Sequence, residues 1–96
     1  MTTDNIIAFL LTHKKSLHSD YHVKDIALFG SYARREEKQG SDVDLLVELD
    51  GTTLDNLYNL RHYLESELKL PIDITLTSPS SKPRFIKQIE SELIHV

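Results

Sequence analysis

The sequence predicts a single α/β (α+β) domain whose elements follow the order α-β-α-β-α-β-α. Three short apolar runs typical of strands alternate with segments in which apolar residues recur at helical spacing. The chain has 96 residues, 40% of them hydrophobic and 27% charged, which is the balance of a small globular domain. Because no linker-like segment divides it, we expect one domain over residues 1–96.

The first half of the chain predicts a helix, a buried strand and a short helix. Helical spacing of apolar residues predicts a helix over residues 3–19. A turn at residues 20–24 leads into an apolar run at residues 25–29, which we interpret as a buried strand ending at Gly30. Residues 31–38 are expected to form a short helix directly after this strand. The apolar residues that set the spacing of the first helix are Ile6, Ile7, Leu10 and Leu11.

The second half repeats the alternation. The apolar run at residues 43–49 predicts a second strand, and residues 53–69 predict the clearest helix. Residues 72–76 alternate between apolar and polar, as in a third strand, and residues 78–83 form a turn-rich loop. An amphipathic helix is expected over residues 84–94. The stripe expected to pack into the core from the 53–69 helix is Leu54, Leu57, Tyr58, Leu64 and Leu68, with Arg61 as its polar exception.

Composition excludes several classes of function. The chain has no Cys, which excludes disulfide scaffolds, thiolate zinc sites and cysteine nucleophiles. A formal net charge of −4 argues against nucleic acid as a direct ligand, because backbone binding needs a basic surface. The apolar run at residues 6–11 is too short to span a membrane, and no basic segment precedes it. We therefore expect a cytoplasmic protein.

Carboxylates mark the second and third strands. Asp42 and Asp44 are two residues apart, so on a strand they point to one face with Cα atoms roughly 6.6 Å apart. Asp73 lies between two isoleucines of the third strand. If the second and third strands pair, Asp73 can join Asp42 and Asp44 on one face. Grouped carboxylates repel one another unless a cation neutralises them, and hard oxygen ligands favour Mg²⁺ or Mn²⁺. The pattern predicts a two-metal site built by these residues.

Gly30 and Ser31 mark the turn from the first strand into the next helix. Glycine lets a ligand approach the backbone closely, and a small hydroxyl residue that opens a helix leaves free N–H groups at its positive end. This geometry suits phosphate. A phosphate cradle beside a carboxylate cluster is what nucleotidyl transfer from a triphosphate requires.

The spacing of these residues resembles a known signature. Gly30-Ser31 is followed by ten residues and then by Asp42-Val43-Asp44. This Gly-Ser, ten residues, Asp-x-Asp pattern is similar to that of the DNA polymerase β-type nucleotidyltransferase superfamily. Within that superfamily the chain resembles the minimal nucleotidyltransferase (MNT) group, and Asp73 fits the later Asp that completes its triad.

The resemblance implies a nucleotidyltransferase fold with a small mixed β-sheet flanked by helices. It implies that Ser31 and the amides near Gly30 hold the triphosphate of ATP, with Arg34 as a further phosphate contact. Asp42 and Asp44 would bind the metal ions, and Asp73 would ligate a metal and activate the attacking hydroxyl. The family often has Gly after the arginine; this chain has Arg35.

Stand-alone MNT proteins of this size resemble antitoxins that act with HEPN-domain toxins. The resemblance implies Mg²⁺-dependent transfer of AMP from ATP to a Tyr hydroxyl of the HEPN partner, which would silence it. One alternative is a non-enzymatic antitoxin or scaffold that neutralises its partner by binding. Another is a small-molecule nucleotidyltransferase of the aminoglycoside type, whose acceptor site needs a homodimer.

Overall fold

The computed structural model describes residues 1–51, 53–77 and 84–96. The predicted loop at residues 78–83 lies outside these ranges. No helix within them is long and apolar enough to cross a membrane. The helices are α1 (Thr3–Thr12), α2 (Lys14–Tyr21), α3 (Gly30–Ala33), α4 (Leu54–Leu68) and α5 (Arg84–Ile89). The strands are β1 (Val23–Phe29), β2 (Val43–Leu49), β3 (Ile72–Thr77) and β4 (Ile94–His95).

The strands form one mixed sheet in the order β3-β2-β1-β4. β1 pairs antiparallel with β2 on one side and with β4 on the other. β2 pairs parallel with β3, and α4 supplies the crossover that a parallel pair needs. The predicted fold class, a small mixed sheet flanked by helices, is confirmed.

The sheet buries residues on both faces. One face packs against α1, α2 and α4, with fully buried side chains that include Leu10, Leu17, Leu45 and Leu64. The other face is smaller and carries a second cluster, whose buried residues include Ala27, Phe29, Leu46 and Ile89. Alternation along β2 therefore sends Val43, Leu45 and Val47 to the first face and Asp44 and Leu46 to the second.

The buried stripe of α4 differs from the predicted one. Leu64 and Leu68 are buried as expected, but Leu60 completes the stripe one turn earlier. Leu54 is 83% exposed and Tyr58 is 70% exposed, so their assignment to the core was wrong. The spacing of leucines fits two overlapping stripes, and the packing of α4 against β3 and α2 selects the one that contains Leu60.

The predicted helix over residues 3–19 is two helices joined at His13. Its backbone there leaves the helical region, at φ −101° and ψ 11°. The His13 ring stacks on Phe9, with ring centroids 4.2 Å apart, and its Nδ1 lies 2.9 Å from the Phe9 carbonyl. A side chain that bonds to the backbone competes with regular helix geometry, which accounts for the bend. α2 extends over the first two residues of the predicted turn and ends at Tyr21, and β1 begins at Val23 rather than at residue 25.

The helix predicted at residues 31–38 is a single turn, α3. It ends because Arg35 adopts φ +59°, in the left-handed region. That conformation favours glycine, since it brings a Cβ close to the backbone. The resemblance noted above places glycine at this position, and here the Arg35 side chain forms an ion pair with Asp4 at 2.7 Å.

The C-terminal helix predicted over residues 84–94 is also shorter. α5 ends at Ile89, a 3₁₀ turn covers Glu90–Glu92, and β4 follows. Ile94 and His95 pair with Leu28 and Ala27 at the edge of β1. Amphipathic spacing does not distinguish a continuous helix from a shorter helix followed by a strand. The strand forms because the backbone groups at the edge of β1 need hydrogen-bond partners.

We expect Leu64→Ala to lower the free energy of unfolding by about 2–5 kcal/mol, because it opens a cavity at a fully buried site. Leu54→Ala, on the same helix, should change it by less than about 0.5 kcal/mol. Urea denaturation of both variants measures the difference. Equal losses would show that Leu54 is a core residue after all.

Candidate active site

The parallel pairing of β2 and β3 brings two of the predicted acidic residues together. Asp44 and Asp73 are register partners in this pair. Both alternate with residues packed into the larger core, so both side chains leave the sheet on its smaller face. Asp44 is partly buried and Asp73 is exposed.

Asp42 joins the pair from the residue just before β2. The Val43 N–H donates to the Pro71 carbonyl at 2.8 Å, which ties the start of β2 to the start of β3. The start of both strands thus lies at one end of the sheet. Asp42 is exposed there, and its charge acts on Asp44.

The pKa of the Asp44 carboxyl is raised above its ordinary value of 3.8. Burial is the largest cause, followed by repulsion from Asp73 and then from Asp42. Arg34 opposes the shift through its positive charge. Among the described residues none of these three aspartates takes part in a salt bridge. The cluster therefore carries excess negative charge, which a bound cation would neutralise.

Gly30 allows Asp44 to sit against the turn. Its φ is +78°, and a Cβ placed on it would lie 2.1 Å from Asp44 Oδ2. Gly40 has a similar φ of +88° but no atom near an added Cβ. Gly30 is thus required both by backbone conformation and by the close approach of the carboxylate.

Ser31 is the second residue of the single turn of α3 and is partly exposed. A hydrogen bond from α1 anchors this turn: the hydroxyl of the buried Thr3 donates to the Tyr32 carbonyl. Tyr32 is itself buried in the larger core. These contacts fix the turn beside the acidic cluster and leave the side of Ser31 open to a ligand.

Glu92 is a site residue that the sequence did not indicate. Its Oε1 accepts from the Gly30 N–H at 3.1 Å, and its Oε2 accepts from Arg34 Nη1 at 2.8 Å. Arg34 also bonds to Glu36 at 2.7 Å. The hydrogen bond from Arg34, followed by that from the Gly30 amide, holds the pKa of Glu92 below its ordinary value. The sequence gives no sign that Glu92 contacts Gly30 and Arg34, because Glu92 fits the polar face of the helix predicted over residues 84–94.

Asp73 also lines a groove between α4 and β3. The groove has a volume of about 440 Å³ and lies at the edge of the sheet. The exposed apolar side chains of Leu54 and Tyr58 contribute to its wall, together with Arg61 and Ile74. A molecule in this groove would lie against the Asp73 end of the acidic cluster.

The ligand atoms that the acidic cluster offers are suited to a hard divalent cation. It offers carboxylate oxygens alone, and their mutual repulsion favours a bound positive charge. Within the described ranges, no three His, Asp or Glu side chains are already close enough to hold a metal ion. Asp42 and Asp73 are exposed, so their side chains can turn toward Asp44 without disturbing the core.

A mixed sheet that carries carboxylates on adjoining strands, beside a glycine turn, is the framework of a nucleotidyltransferase. Residues 10–96 match the family model described as Nucleotidyltransferase domain. The chain belongs to this family, as the Gly30-Ser31 and Asp42-x-Asp44 spacing predicted.

Relatives of nearly equal length are protein adenylyltransferases. Protein adenylyltransferase MntA of Thermococcus cleftensis is 37% identical over 97 residues, which cover 100% of this chain and 97% of its own. MJ1217 of Methanocaldococcus jannaschii, a candidate protein adenylyltransferase, is 38% identical over 96 residues, covering 99% and 98%. These relatives confirm the prediction of an enzyme of the adenylyltransferase class.

Solved structures share the fold. A candidate minimal nucleotidyltransferase superposes with a TM-score of 0.78 at 32% identity, over 98% of this chain and 95% of its own. A chain in the complex of tri-AMPylated Shewanella oneidensis HEPN toxin with MNT antitoxin gives a TM-score of 0.62 at 21% identity. That match covers 92% of this chain and 69% of the other. The MNT resemblance is therefore confirmed.

We expect Gly30→Ala to damage the site more than Gly40→Ala, although both glycines have positive φ. The shared backbone strain should cost each variant about 1–2 kcal/mol of unfolding free energy. Only Gly30→Ala also displaces the Asp44 carboxylate, so nucleotidyl transfer should fall at least about tenfold further in that variant. Urea denaturation and transfer rates of the two variants separate these effects, and equal transfer rates would contradict the expectation.

We expect Asp44→Asn to raise the melting temperature at pH 7 by roughly 2–4 °C. The raised pKa means that the folded protein holds the Asp44 proton more tightly than the unfolded chain does. Stability due to this group is thus greatest below pH 3.8 and falls as pH rises toward the raised pKa. The advantage of Asn should therefore disappear below pH 3.8. Melting curves from pH 3 to 7 test this, with the exposed Asp20→Asn as a control; a constant difference across that range would contradict it.

Proposed function

We propose that this protein transfers AMP from ATP to a hydroxyl group of a partner protein and thereby acts as an antitoxin. The observation that carries the proposal is the register pairing of Asp44 with Asp73 beside the Gly30 turn. The pairing brings acidic side chains next to a strand-to-helix turn, and this neighbourhood supports the proposal of a metal-bound phosphate site. The same reaction is supported by the family and by a protein adenylyltransferase that aligns with this chain over nearly its whole length.

In the proposed reaction an acceptor oxygen attacks the α-phosphorus of ATP. A phosphorus–oxygen bond forms to the acceptor, the bond between the α-phosphorus and the bridging oxygen breaks, and pyrophosphate leaves. Asp73 accepts the hydroxyl proton, because it is exposed at the end of the cluster that borders the groove. Ser31 and the backbone of the Gly30 turn bind the triphosphate, and Arg34 contributes a further phosphate contact.

Asp42, Asp44 and Asp73 are the residues that would hold Mg²⁺, with Mn²⁺ as a substitute of similar ligand preference. When bound, such an ion neutralises phosphate charge and lowers the pKa of an attacking oxygen. Asp44 also connects the acidic cluster to the Gly30 turn, because its carboxylate lies where a Cβ on residue 30 would be.

The acceptor is proposed to be a Tyr hydroxyl of a HEPN-domain toxin in the cytoplasm. The chain is short, and we propose that residues 1–96 act as one domain that takes its acceptor from the partner. The groove beside Asp73 supports this view, because its exposed Leu54 and Tyr58 offer apolar contacts to a protein segment. Protein adenylyltransferases among the relatives favour a protein acceptor over a small molecule.

The test is label transfer from α-labelled ATP with Mg²⁺ to the protein encoded beside this one. We expect label on that partner, with the added mass of AMP on a tyrosine. Asp42→Ala/Asp44→Ala should reduce transfer by at least about a thousandfold, since it removes the groups that neutralise phosphate charge. Chelation of the divalent cation with EDTA should abolish transfer in the parent protein.

Asp20→Ala serves as the control, because it removes one exposed acidic side chain from α2. It should leave both transfer and partner binding unchanged. A stable complex that carries no label would contradict the enzymatic proposal and support neutralisation by binding alone. Label on small hydroxyl compounds, without label on the partner, would support the dimeric small-molecule enzyme.

A further inference from the structure

The Glu92 carboxylate bridges two donors of the Gly30 turn. One oxygen accepts from the Gly30 amide at 3.1 Å, and the other accepts from the Arg34 guanidinium at 2.8 Å. A carboxylate and a phosphate both accept charge-assisted hydrogen bonds, so they are interchangeable partners for such donors. Glu92 thus holds groups that an incoming triphosphate would also engage.

The Glu92 side chain is well placed to hold these groups in competition with solvent. It is only 18% exposed, whereas the Arg34 side chain is 47% exposed. Arg34 can therefore reach an external ligand while its present partner stays shielded. The Arg34 bond to Glu36 is more open, because the Glu36 side chain is 67% exposed.

The backbone that carries Glu92 is fixed to the sheet. Just beyond it Ile94 pairs with Leu28, and the Val96 N–H donates to the Ile26 carbonyl at 3.1 Å. Release of Arg34 from Glu92 therefore needs a side-chain rotation and leaves β4 in place.

We propose that Glu92 is an internal anion that occupies the phosphate-binding groups, and that nucleotide binding transfers Arg34 from Glu92 to a phosphate oxygen. This inference rests on the proposed function, since it assumes that the Gly30 turn receives the triphosphate. It makes Glu92 a determinant of nucleotide affinity: its negative charge competes with ATP for Arg34. The negative charge of Glu92 also adds to the repulsion on Asp44, which a cationic ligand must offset.

The test is the affinity of Glu92→Gln for AMP-PNP with Mg²⁺, measured by titration calorimetry. Glutamine keeps an oxygen that can accept from the Gly30 N–H, but it lacks the charge that holds Arg34. We expect nucleotide to bind roughly fivefold more tightly than in the parent protein, about 1 kcal/mol. Glu90→Gln is the matched control, because Glu90 is an exposed residue of the same 3₁₀ turn and makes no ion pair with another described residue.

A second pair of variants separates exchange of Arg34 from a general effect of charge. In an Arg34→Gln background, Glu92→Gln should give no gain in affinity, because no guanidinium is left to transfer. A gain that persists there, an equal gain from Glu90→Gln, or binding that Glu92→Gln weakens or leaves unchanged would overturn the inference. Melting curves of each variant verify that it is folded.

The parent protein distinguishes this inference from the proposed function. If it binds AMP-PNP and Glu92→Gln binds no more tightly, the inference fails and the proposed function stands. If neither protein binds AMP-PNP at millimolar concentration, both fail.

Discussion

The register of β2 against β3 is the constraint on which the site depends. It sets Asp44 beside Asp73 on the smaller face of the sheet, where repulsion and burial both act against an ionised Asp44. Such a pairing costs stability unless a cation binds. The hydrophobic residues that alternate with Asp44 hold the register, because a slip by one position would expose Val43 and Leu45.

The smaller face is organised by charge as much as by packing. The charges of Asp42, Asp73 and Glu92 act on Asp44 there, and the nearby guanidinium of Arg34 is already bound by Glu92. This balance prepares the face for a ligand that brings both positive and negative charge. Under the proposed function, a divalent cation would offset the charge of the aspartates, and the phosphates of the nucleotide would accept hydrogen bonds from Arg34 and the Gly30 turn.

Elements whose pattern is local were predicted well, and elements that depend on distant partners were not. β2 has the predicted bounds, because a short apolar run at Leu45, Leu46 and Val47 that ends at an Asp50-Gly51 turn is typical of a buried strand. The break at His13 and the left-handed Arg35 are accompanied by contacts with Phe9 and Asp4 that composition does not reveal. β4 exists because the edge of β1 needs backbone partners, and an amphipathic pattern over residues 84–94 carries no trace of that need.

The sequence by itself determined the family and indicated the candidate acidic residues, because a Gly-Ser to Asp-x-Asp spacing reflects chemistry that few residue types can supply. It also placed Asp44 and Asp73 on strands, since alternation is a local property. Only the tertiary structure decided that these strands pair in parallel and that Glu92 reaches Gly30 and Arg34. Those contacts join residues as many as 62 positions apart, and their energies depend on packing and charge in three dimensions rather than on neighbours along the chain.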